Sequence, residues 1–319
     1  MGKIIPGIHH LTAIASDPQR NLDFYTQTLG LRLVKLTVNF DDPGTYHFYF
    51  GDALGHPGTI LTFFPWRGAP RGQLGSSQVT TIGFAVPQTA LGYWVERLQS
   101  AGVSSAGPQQ RFDEQVLAFT DPDGLQLELV EQPGAKLREG WASGPVPAEY
   151  AIRGFSGVTL TEIDHEETAA LLTATFDFRP ARREGNRFRY EVGAGADHAL
   201  VDIVEEPEML RGQIAAGSVH HIAWRAPTDA EQLAWRADLM SKGLYVTPVR
   251  DRQYFHSIYF HEPGGVLFEI ATDSPGFATD ETPEQLGTHL NLPPWLEPER
   301  VRLERILPAL RLPAAPAKQ

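Results

Sequence analysis

Hydrophobic and polar positions near the start of the chain change from the spacing of a strand to that of a helix and back again. Residues 10–15 alternate with the period of a strand, and residues 21–29 carry apolar positions at helical spacing. Pro18 lies in the first turn of that helix, and Gly30 is placed to end it. Three more alternating segments follow, at residues 31–39, 46–50 and 59–64. The pattern predicts one βαβββ unit.

Parts of this pattern recur farther along the chain. Residues 119–130 and 260–271 share an acidic turn and a short strand, which place Glu128 and Glu269 at the same offset, 141 residues apart. Two further pairs match at distances of 140 and 147 residues: 79–87 with 219–227, and more weakly 7–12 with 154–159. The repeats predict a tandem duplication of four units that begin near residues 7, 79, 154 and 218.

The duplication predicts an α+β fold of two domains, each with two βαβββ units. We expect the first domain at residues 1–135 and the second at residues 150–290, joined by a segment at 132–150 that is rich in turn residues. Residues 291–319 carry six prolines. This segment is predicted to be a Pro-rich C-terminal tail that wraps the surface or is loose.

In the strands that open the units, successive side chains point to opposite faces of the sheet. One parity is apolar in all four strands and is expected to pack against the helices: Leu11, Ala13, Ile82, Phe84, Val158, Leu160, Ile222 and Trp224. The opposite parity carries His10 and His221, and the closing strand of the last unit turns Glu269 to that same side. His9 and His220 are predicted to point the other way or to lie at the entry of their strands.

Composition narrows the possible functions. Of the 319 residues, 42% are hydrophobic and 21% are charged, which is typical of a globular protein. The formal net charge of -12 argues against binding to nucleic acid or to an anionic membrane surface. No apolar run typical of a transmembrane span or a secretory signal occurs, so we expect a soluble cytoplasmic protein. Cysteine is absent, so a metal would be held by His, Asp or Glu.

Two neutral imidazoles and one carboxylate on the same face form a set that suits non-haem Fe(II), with open positions for substrate and O2. The repeated units supply only one complete set. Thr81 stands at the position of His221. Gly157 stands at the position of His10, and Glu128 therefore lacks a histidine partner. The competing interpretation is that these histidines are ordinary core or surface residues.

Several motifs give the chain a family resemblance. The openings His-Leu-Thr at 10–12 and His-Ile-Ala at 221–223, and the closing Pro-Gly-Gly-Val-Leu-Phe-Glu at 263–269, resemble the vicinal oxygen chelate superfamily, which includes glyoxalases and extradiol dioxygenases. The chain is most similar to the ring-cleaving dioxygenases that act on para-hydroquinones. That similarity also covers residues 24–25, 29–35, 46–50, 55–59, 252–269 and 286–287. The resemblance implies two domains with curved mixed sheets.

In that branch of the superfamily, one histidine from the first unit and a histidine and a glutamate from the last unit bind the metal. The resemblance therefore implies that His10, His221 and Glu269 bind Fe(II), with Mn(II) as an alternative. It also implies a ring-cleaving, extradiol-type dioxygenase that inserts O2 into a hydroquinone-type ring during the degradation of aromatic compounds. Its partners would be a small aromatic substrate and O2.

Further residues match groups that surround the metal in that branch. Tyr259 matches a tyrosine and is assigned to hydrogen bonding or proton transfer, and Arg252 matches an arginine and is assigned to anion stabilisation. Thr12 has the same parity as the first histidine ligand and is expected to touch the substrate. His9 and His220 also match histidines of the branch, although strict strand parity turns them away.

Several questions stay open at the level of the sequence. His47 is either a site residue or a structural strand residue. A glyoxalase-type lyase or isomerase would use Zn(II) or Ni(II), and it usually presents a second carboxylate, for which the first unit has no clear candidate. A binding or resistance protein that sequesters an aromatic compound would not need the two histidines and the glutamate. The ring substituents and the formation of a homo-oligomer are also left open.

Overall fold

The computed structural model describes residue 3 and residues 5–195 and 198–313. Within these residues, sixteen strands form two curved sheets of eight strands each, and short helices connect the strands. The predicted α+β fold of βαβββ units is confirmed. None of the helices in this part of the chain has both the length and the apolar character needed to cross a bilayer.

The first two units follow the predicted order of elements. Unit one contains β1 (Ile8–Ala15), α1 (Pro18–Asp23) with a π-helical turn (Phe24–Thr28), β2 (Arg32–Asn39), β3 (Asp42–Gly51) and β4 (Ile60–Pro65). Unit two contains β5 (Gln78–Val86), α2 (Leu91–Ser100), β6 (Ser105–Arg111), β7 (Glu114–Thr120) and β8 (Gln126–Glu131). The first helix begins where Asp17 caps it by accepting a hydrogen bond from the amide of Arg20. Gly30 then has a positive φ of 69°, as expected for a residue that ends a helix.

The last two units repeat the same order. Unit three contains β9 (Phe155–Glu162), α3 (Glu166–Ala174), β10 (Arg179–Glu184), β11 (Arg187–Val192) and β12 (Ala199–Glu205). Unit four contains β13 (Val219–Ala226), α4 (Asp229–Ser241), β14 (Arg250–Asp251), β15 (Phe255–His261) and β16 (Leu267–Pro275). The helix of unit four begins at Thr228, whose side chain accepts a hydrogen bond from the amide of Glu231.

Each sheet combines one unit from each half of the chain. Units one and four, the outer units in chain order, form one sheet in the order β14-β15-β16-β13-β1-β4-β3-β2, which we call the outer sheet. Units three and two form the other in the order β10-β11-β12-β9-β5-β8-β7-β6, which we call the inner sheet. The seams are antiparallel, between β1 and β13 and between β5 and β9. The sheets therefore cross the boundary between the predicted segments 1–135 and 150–290, because the opening strand of each unit pairs with a unit from the other half.

The apolar parity of the opening strands forms the main core, as predicted. All eight residues on that face are at most 4% exposed, and they share one hydrophobic cluster with side chains from the helices. Trp94 of α2, Leu171 of α3 and Trp235 of α4 belong to this cluster. Burial of these large side chains fixes the helices on one side of the sheets. The opposite side of the outer sheet carries the polar residues of the other parity, among them His10 and His221.

The connecting and terminal segments are more ordered than their composition suggests. Residues 132–150 include a 3-10 helix (Pro133–Leu137). The predicted tail includes a 3-10 helix (Glu297–Glu299) and α5 (Arg300–Ile306). Leu292, Leu296 and Leu303 of this tail are buried in the main core. Residues 291–313 are therefore packed on the protein, which excludes a loose segment there, and residues 314–319 lie outside the described part of the chain.

Candidate metal centre

Neighbouring strands of the outer sheet bring two histidines and a glutamate together. β13 lies between β1 and β16. His10 Nε2 lies 3.4 Å from His221 Nε2. Glu269 Oε2 lies 3.4 Å from His10 Nε2 and 2.9 Å from His221 Nε2. All three side chains are buried, and their ligand atoms are close enough to hold one metal ion. The structure thus assembles the three predicted ligands from the first and last units.

The surroundings of Glu269 fit a cation at this point. Its Oε1 accepts a hydrogen bond from the hydroxyl of Ser257. Its Oε2 is fully buried and has no partner with hydrogen-bond geometry among the described residues, although both imidazoles lie close by. A buried carboxylate oxygen in this state is costly unless a cation binds it. Burial alone would raise the pKa of Glu269, but His10 and His221 hold it well below its usual value, so the carboxylate is ionised.

Two β-bulges at the seam explain the position of the neighbouring histidines. Along β1 the register moves from Ile8 to His10 while β13 advances by one residue, so His9 is an extra residue. Along β13 the register skips His220 in the same way. Each bulge breaks the alternation of side chains, so strict parity does not turn His9 and His220 away from the ligands. Each is the second residue of its strand, which agrees with the other prediction, that they lie at the entry of their strands.

The result is a pair of short imidazole contacts behind the ligands. His9 Nδ1 lies 2.9 Å from His10 Nδ1, and His220 Nδ1 lies 2.8 Å from His221 Nδ1. Burial, reinforced by the adjacent histidine, lowers the pKa of His9 and of His220 to about 3, so both rings are neutral. A ligand that binds a metal through Nε2 carries its proton on Nδ1, which it can donate to the neighbouring ring. This contact fixes the orientation of both ligand rings.

Tyr259 and Arg252 lie on the same face. Tyr259 is paired with Glu269 across β15 and β16, and its ring centre lies 5.7 Å from that of His221. Arg252 Nε donates a hydrogen bond of 3.2 Å to the hydroxyl of Tyr259. Burial and the negative charge of Glu269 raise the pKa of Tyr259, so its hydroxyl keeps its proton. Arg252 also lies 2.9 Å from Asp41 Oδ2, which holds the guanidinium in place.

A cavity of about 320 Å³ opens beside these residues. This volume lies at the lower end of the range of roughly 300–1,000 Å³ for sites that bind small molecules. Thr12 lines the cavity together with both histidine ligands, as its parity predicted. Aromatic side chains form much of the remaining wall: Phe40, Tyr49, Phe64, Trp66, Phe255 and Tyr259.

Sequence reasoning missed two residues of this site. Ser257 holds one oxygen of Glu269, and it has the same parity on β15 as Tyr259, which would have revealed it. Asp41 reaches the cavity from the turn between β2 and β3 and contacts Arg252. No pattern in the sequence links that exposed turn to unit four, because their contact depends on the closure of the sheet.

A second group of histidine and carboxylates has a structural explanation. Asp164, His165 and Glu205 also bring ligand atoms close together, but they lie at the surface. Asp164 accepts a hydrogen bond from the amide of Glu166 at the start of α3, and Glu205 accepts hydrogen bonds from the backbone and the ring of His165. These contacts fix the beginning of a helix. The buried group on the outer sheet is therefore the candidate metal centre.

Comparison with known proteins agrees with this architecture. A relative from Bacillus subtilis strain 168, named "Putative ring-cleaving dioxygenase MhqO", is 49% identical over 305 residues, which cover 96% of each chain. A protein from Sphingobium indicum, named chlorohydroquinone/hydroquinone 1,2-dioxygenase, is 36% identical over 311 residues, which cover 95% of this chain and 96% of that protein.

A solved structure shares the complete fold. A crystal structure from Bacillus subtilis, described as a "putative dioxygenase", matches with a TM-score of 0.92 and 47% identity, over 98% of this chain and 99% of that chain. The model of the Glyoxalase/Bleomycin resistance protein/Dioxygenase superfamily matches residues 7–129 and 154–270. These matches cover most of all four units, and the chain therefore belongs to the Glyoxalase/Bleomycin resistance protein/Dioxygenase superfamily.

Proposed function

We propose that this protein is a non-haem Fe(II)-dependent dioxygenase that cleaves a hydroquinone-type ring. The observation that carries the proposal is the convergence of His10, His221 and Glu269 beside a cavity with aromatic sides, which both histidines line. Two imidazoles and one carboxylate leave open positions on iron, as ring cleavage by O2 requires. The relatives named as ring-cleaving and hydroquinone dioxygenases support the reaction class and the type of ring.

The bound Fe(II) supplies the redox chemistry that allows O2 to react with an electron-rich ring. The protein supplies the surroundings. Aromatic walls of the cavity hold a flat ring and keep water away from it. The charge of Arg252 stabilises an anionic oxygen of the substrate, and the protonated hydroxyl of Tyr259 donates a hydrogen bond or a proton beside the ligands. His220 lines the cavity with its neutral ring and offers its Nε2 proton there.

The choice of iron rests on the donor set. A site with two histidines and one carboxylate favours Fe(II) or Mn(II), and soft thiolate ligands are excluded because the chain has no cysteine. A glyoxalase-type site with Zn(II) or Ni(II) would be expected to include a second carboxylate. Within the described residues, the buried group of ligand atoms consists of His10, His221 and Glu269. This composition supports the dioxygenase over the lyase.

The test combines metal analysis with oxygen uptake. Protein purified without air should contain iron, and it should consume O2 with para-hydroquinones faster than with catechols. A His221→Ala variant is the matched control and should lose both iron and oxygen uptake. Zinc or nickel with lyase activity would contradict the proposal, as would a protein that binds aromatic compounds without metal. No oxygen uptake with any dihydroxybenzene by iron-loaded protein would also exclude it.

A further inference from the structure

A chain of hydrogen bonds runs across β3, β4 and β1 beside the cavity, whose lining includes Tyr49, His47 and Thr12. The hydroxyl of Tyr49 lies 2.9 Å from His47 Nδ1. His47 Nε2 lies 2.9 Å from Thr62 Oγ1, which lies 2.8 Å from Thr12 Oγ1. Tyr49, Thr62 and Thr12 are each at most 1% exposed. Thr12 ends the chain at the cavity wall, beside the metal ligand His10.

The direction of this chain follows from its donors and acceptors. Among the described residues, His47 Nδ1 is the hydrogen-bond partner of the Tyr49 hydroxyl, and a buried hydroxyl donates its hydrogen where an acceptor is in reach. His47 Nδ1 is therefore the acceptor. Burial, reinforced by His10, lowers the pKa of His47 well below its usual value, so the ring is neutral and carries its one proton on Nε2.

The remaining hydrogens are then assigned in order. His47 Nε2 donates to Thr62 Oγ1, so the hydrogen of Thr62 is free to be donated to Thr12 Oγ1. Thr12 receives a hydrogen bond from Thr62, and its own hydrogen points away from that bond. Because Thr12 lines the cavity, this hydrogen is available to a molecule bound there.

We propose that His47, held between Tyr49 and Thr62, is a positioning residue that makes Thr12 a hydrogen-bond donor toward a substrate oxygen in the cavity. This inference rests on the proposed function for the identity of that oxygen. A hydroxyl fixed as a donor favours an oxygen that accepts, such as a phenolate, over a phenol that must donate. The chain therefore selects the deprotonated oxygen of a hydroquinone, and His47, which also lines the cavity, contributes to this selection through Thr12.

The first test measures the tautomer of His47 in the metal-free protein, so it does not depend on activity. Nuclear magnetic resonance of protein labelled with 15N at histidine distinguishes a proton on Nε2 from a proton on Nδ1. We expect the Nε2 tautomer in the wild type and a mixture of tautomers in Tyr49→Phe, which removes the donor to Nδ1. A proton on Nδ1 in the wild type would reverse the chain and overturn the proposal.

The second test is a double-mutant cycle of Thr12→Val and His47→Phe, read as kcat/KM for oxygen uptake with hydroquinone. We expect His47→Phe to lower kcat/KM by about tenfold, the size of one neutral hydrogen bond, with iron content unchanged. The double variant should be no slower than Thr12→Val alone, because both changes remove the same donor. Additive losses would mean that His47 does not act through Thr12.

Two variants separate positioning from packing. His47→Gln keeps a donor near the place of Nε2 and should recover most of the rate lost in His47→Phe, whereas a packing role would leave both variants equally slow. If His47→Phe does not fold, Thr62→Val breaks the same chain and replaces it in the cycle. Wild-type protein that consumes no oxygen would end the proposed function and the role at the substrate oxygen, while the tautomer measurement still decides the direction of the chain.

Discussion

The outer and inner sheets contain the same repeated units, yet the faces that point away from the helices carry opposite chemistry. On the outer sheet, His10 and His221 converge on Glu269, whose Oε2 is buried without a hydrogen-bond partner among the described residues. On the inner sheet, the repeat replaces the two histidines by Gly157 and Thr81. The carboxylate of the inner sheet therefore needs a different partner.

An arginine supplies that partner. Glu128 is the inner counterpart of Glu269, and Arg111 donates a hydrogen bond of 2.6 Å to each of its carboxylate oxygens. The offset of 141 residues that relates the two glutamates also relates Arg111 to Arg252. Arg252 donates instead to the hydroxyl of Tyr259. The arginine at this position of the repeat thus neutralises Glu128 in the inner sheet, whereas in the outer sheet it leaves Glu269 to the proposed metal.

The neighbouring positions of the inner sheet follow the same rule. Arg189 donates to both carboxylate oxygens of Asp202, and Arg187 donates to Asp202 and to Thr159. Strand pairing shows which positions of the outer sheet correspond to these: Tyr49 to Arg189, Thr62 to Asp202, His47 to Arg187 and Thr12 to Thr159. These four residues of the outer sheet are neutral and form the hydrogen-bonded chain. The cavity beside Arg111, Arg189 and Asp202 measures only about 20 Å³, against about 320 Å³ for the cavity beside His10 and His221.

The difference teaches that charge compensation decides which face can hold a metal. Three arginines and three carboxylates balance one another on the inner face: Arg111, Arg187, Arg189, Glu114, Glu128 and Asp202. Such a network satisfies buried charges and fills the space. On the outer face, Oε2 of Glu269 has no hydrogen-bond partner among the described residues, which leaves it to the proposed metal.

The largest effect is expected when the carboxylate of the outer face is changed. Glu269→Gln removes the charge with little change in shape, so the protein should lose most of its iron. Turnover should fall by more than about 100-fold, since even changes outside the ligand set cost metal sites about 10–100-fold. Iron analysis and oxygen uptake measure both effects. Full iron occupancy in this variant would show that the metal does not depend on this carboxylate.

The next effect concerns chemistry without loss of metal. Tyr259→Phe keeps the ring in place, so iron content and stability should stay close to those of the wild type. The value of kcat should fall by about 10²–10⁴-fold if Tyr259 transfers a proton, and by less if it donates only a hydrogen bond. Arg252→Lys keeps the charge but loses the planar guanidinium, and should also slow the reaction. Unchanged oxygen uptake in both variants would remove this pair from the mechanism.

The sequence carried enough information to bring the ligands of the outer face together. Strand parity put His10, His221 and Glu269 on the same side, and the repeat register showed that Thr81 and Gly157 replace the two histidines in the other units. These predictions use only local spacing, which the strands preserve. The pairing of units one and four also agrees with a ligand set drawn from the first and last units.

Other features depend on register between strands that are distant in the chain. The bulges that turn His9 and His220 toward the ligands arise where β1 meets β13, and no periodicity within either strand predicts them. The contact between Asp41 and Arg252 requires the two ends of the outer sheet to meet. The helix of the C-terminal tail was not predicted, because the frequent prolines of this segment argue against a helix, although Leu303 is buried in the core.

Glu162 is a buried carboxyl group in a third environment, and it predicts an effect of pH on stability. Glu162 is 1% exposed, and neither carboxylate oxygen has a hydrogen-bond partner among the described residues. Glu262 nearby accepts hydrogen bonds from Thr168 and from two backbone amides. Burial, together with the charge of Glu262, raises the pKa of Glu162 to about 8. Glu162 therefore avoids a buried charge by keeping its proton, whereas Arg111 compensates the charge of Glu128.

The sign of the effect follows from the raised pKa of Glu162. The unfolded chain loses this proton near its ordinary pKa of about 4.3, while the folded protein keeps it to about pH 8, so stability falls as pH rises across that window. Between pH 5 and pH 8 the free energy of unfolding of the wild type should fall by an amount on the order of 2–4 kcal/mol, and this fall should be absent in Glu162→Gln. Urea unfolding measures it, with the exposed Glu208→Gln as control. An equal pH dependence in wild type and Glu162→Gln would contradict the protonated state.

The smallest functional effect is expected from Glu128, the inner counterpart of the proposed metal ligand Glu269. Glu128→Gln should leave iron content and oxygen uptake close to wild type, because Arg111 rather than a metal satisfies this carboxylate. It should lower the free energy of unfolding by about 1–3 kcal/mol, since the side chains are largely buried and Arg111 keeps its charge. Urea unfolding, iron analysis and oxygen uptake on the same preparation separate these effects.

A second substitution shows whether the lost stability comes from the unpaired charge. Arg111→Gln combined with Glu128→Gln removes both charges and leaves two amides that can bond each other, so the double variant should be more stable than Glu128→Gln alone. If the two losses add instead, the ion pair is not the source of the stability. Loss of iron in Glu128→Gln would mean that the inner face holds the metal, and it would reverse the comparison between the two sheets.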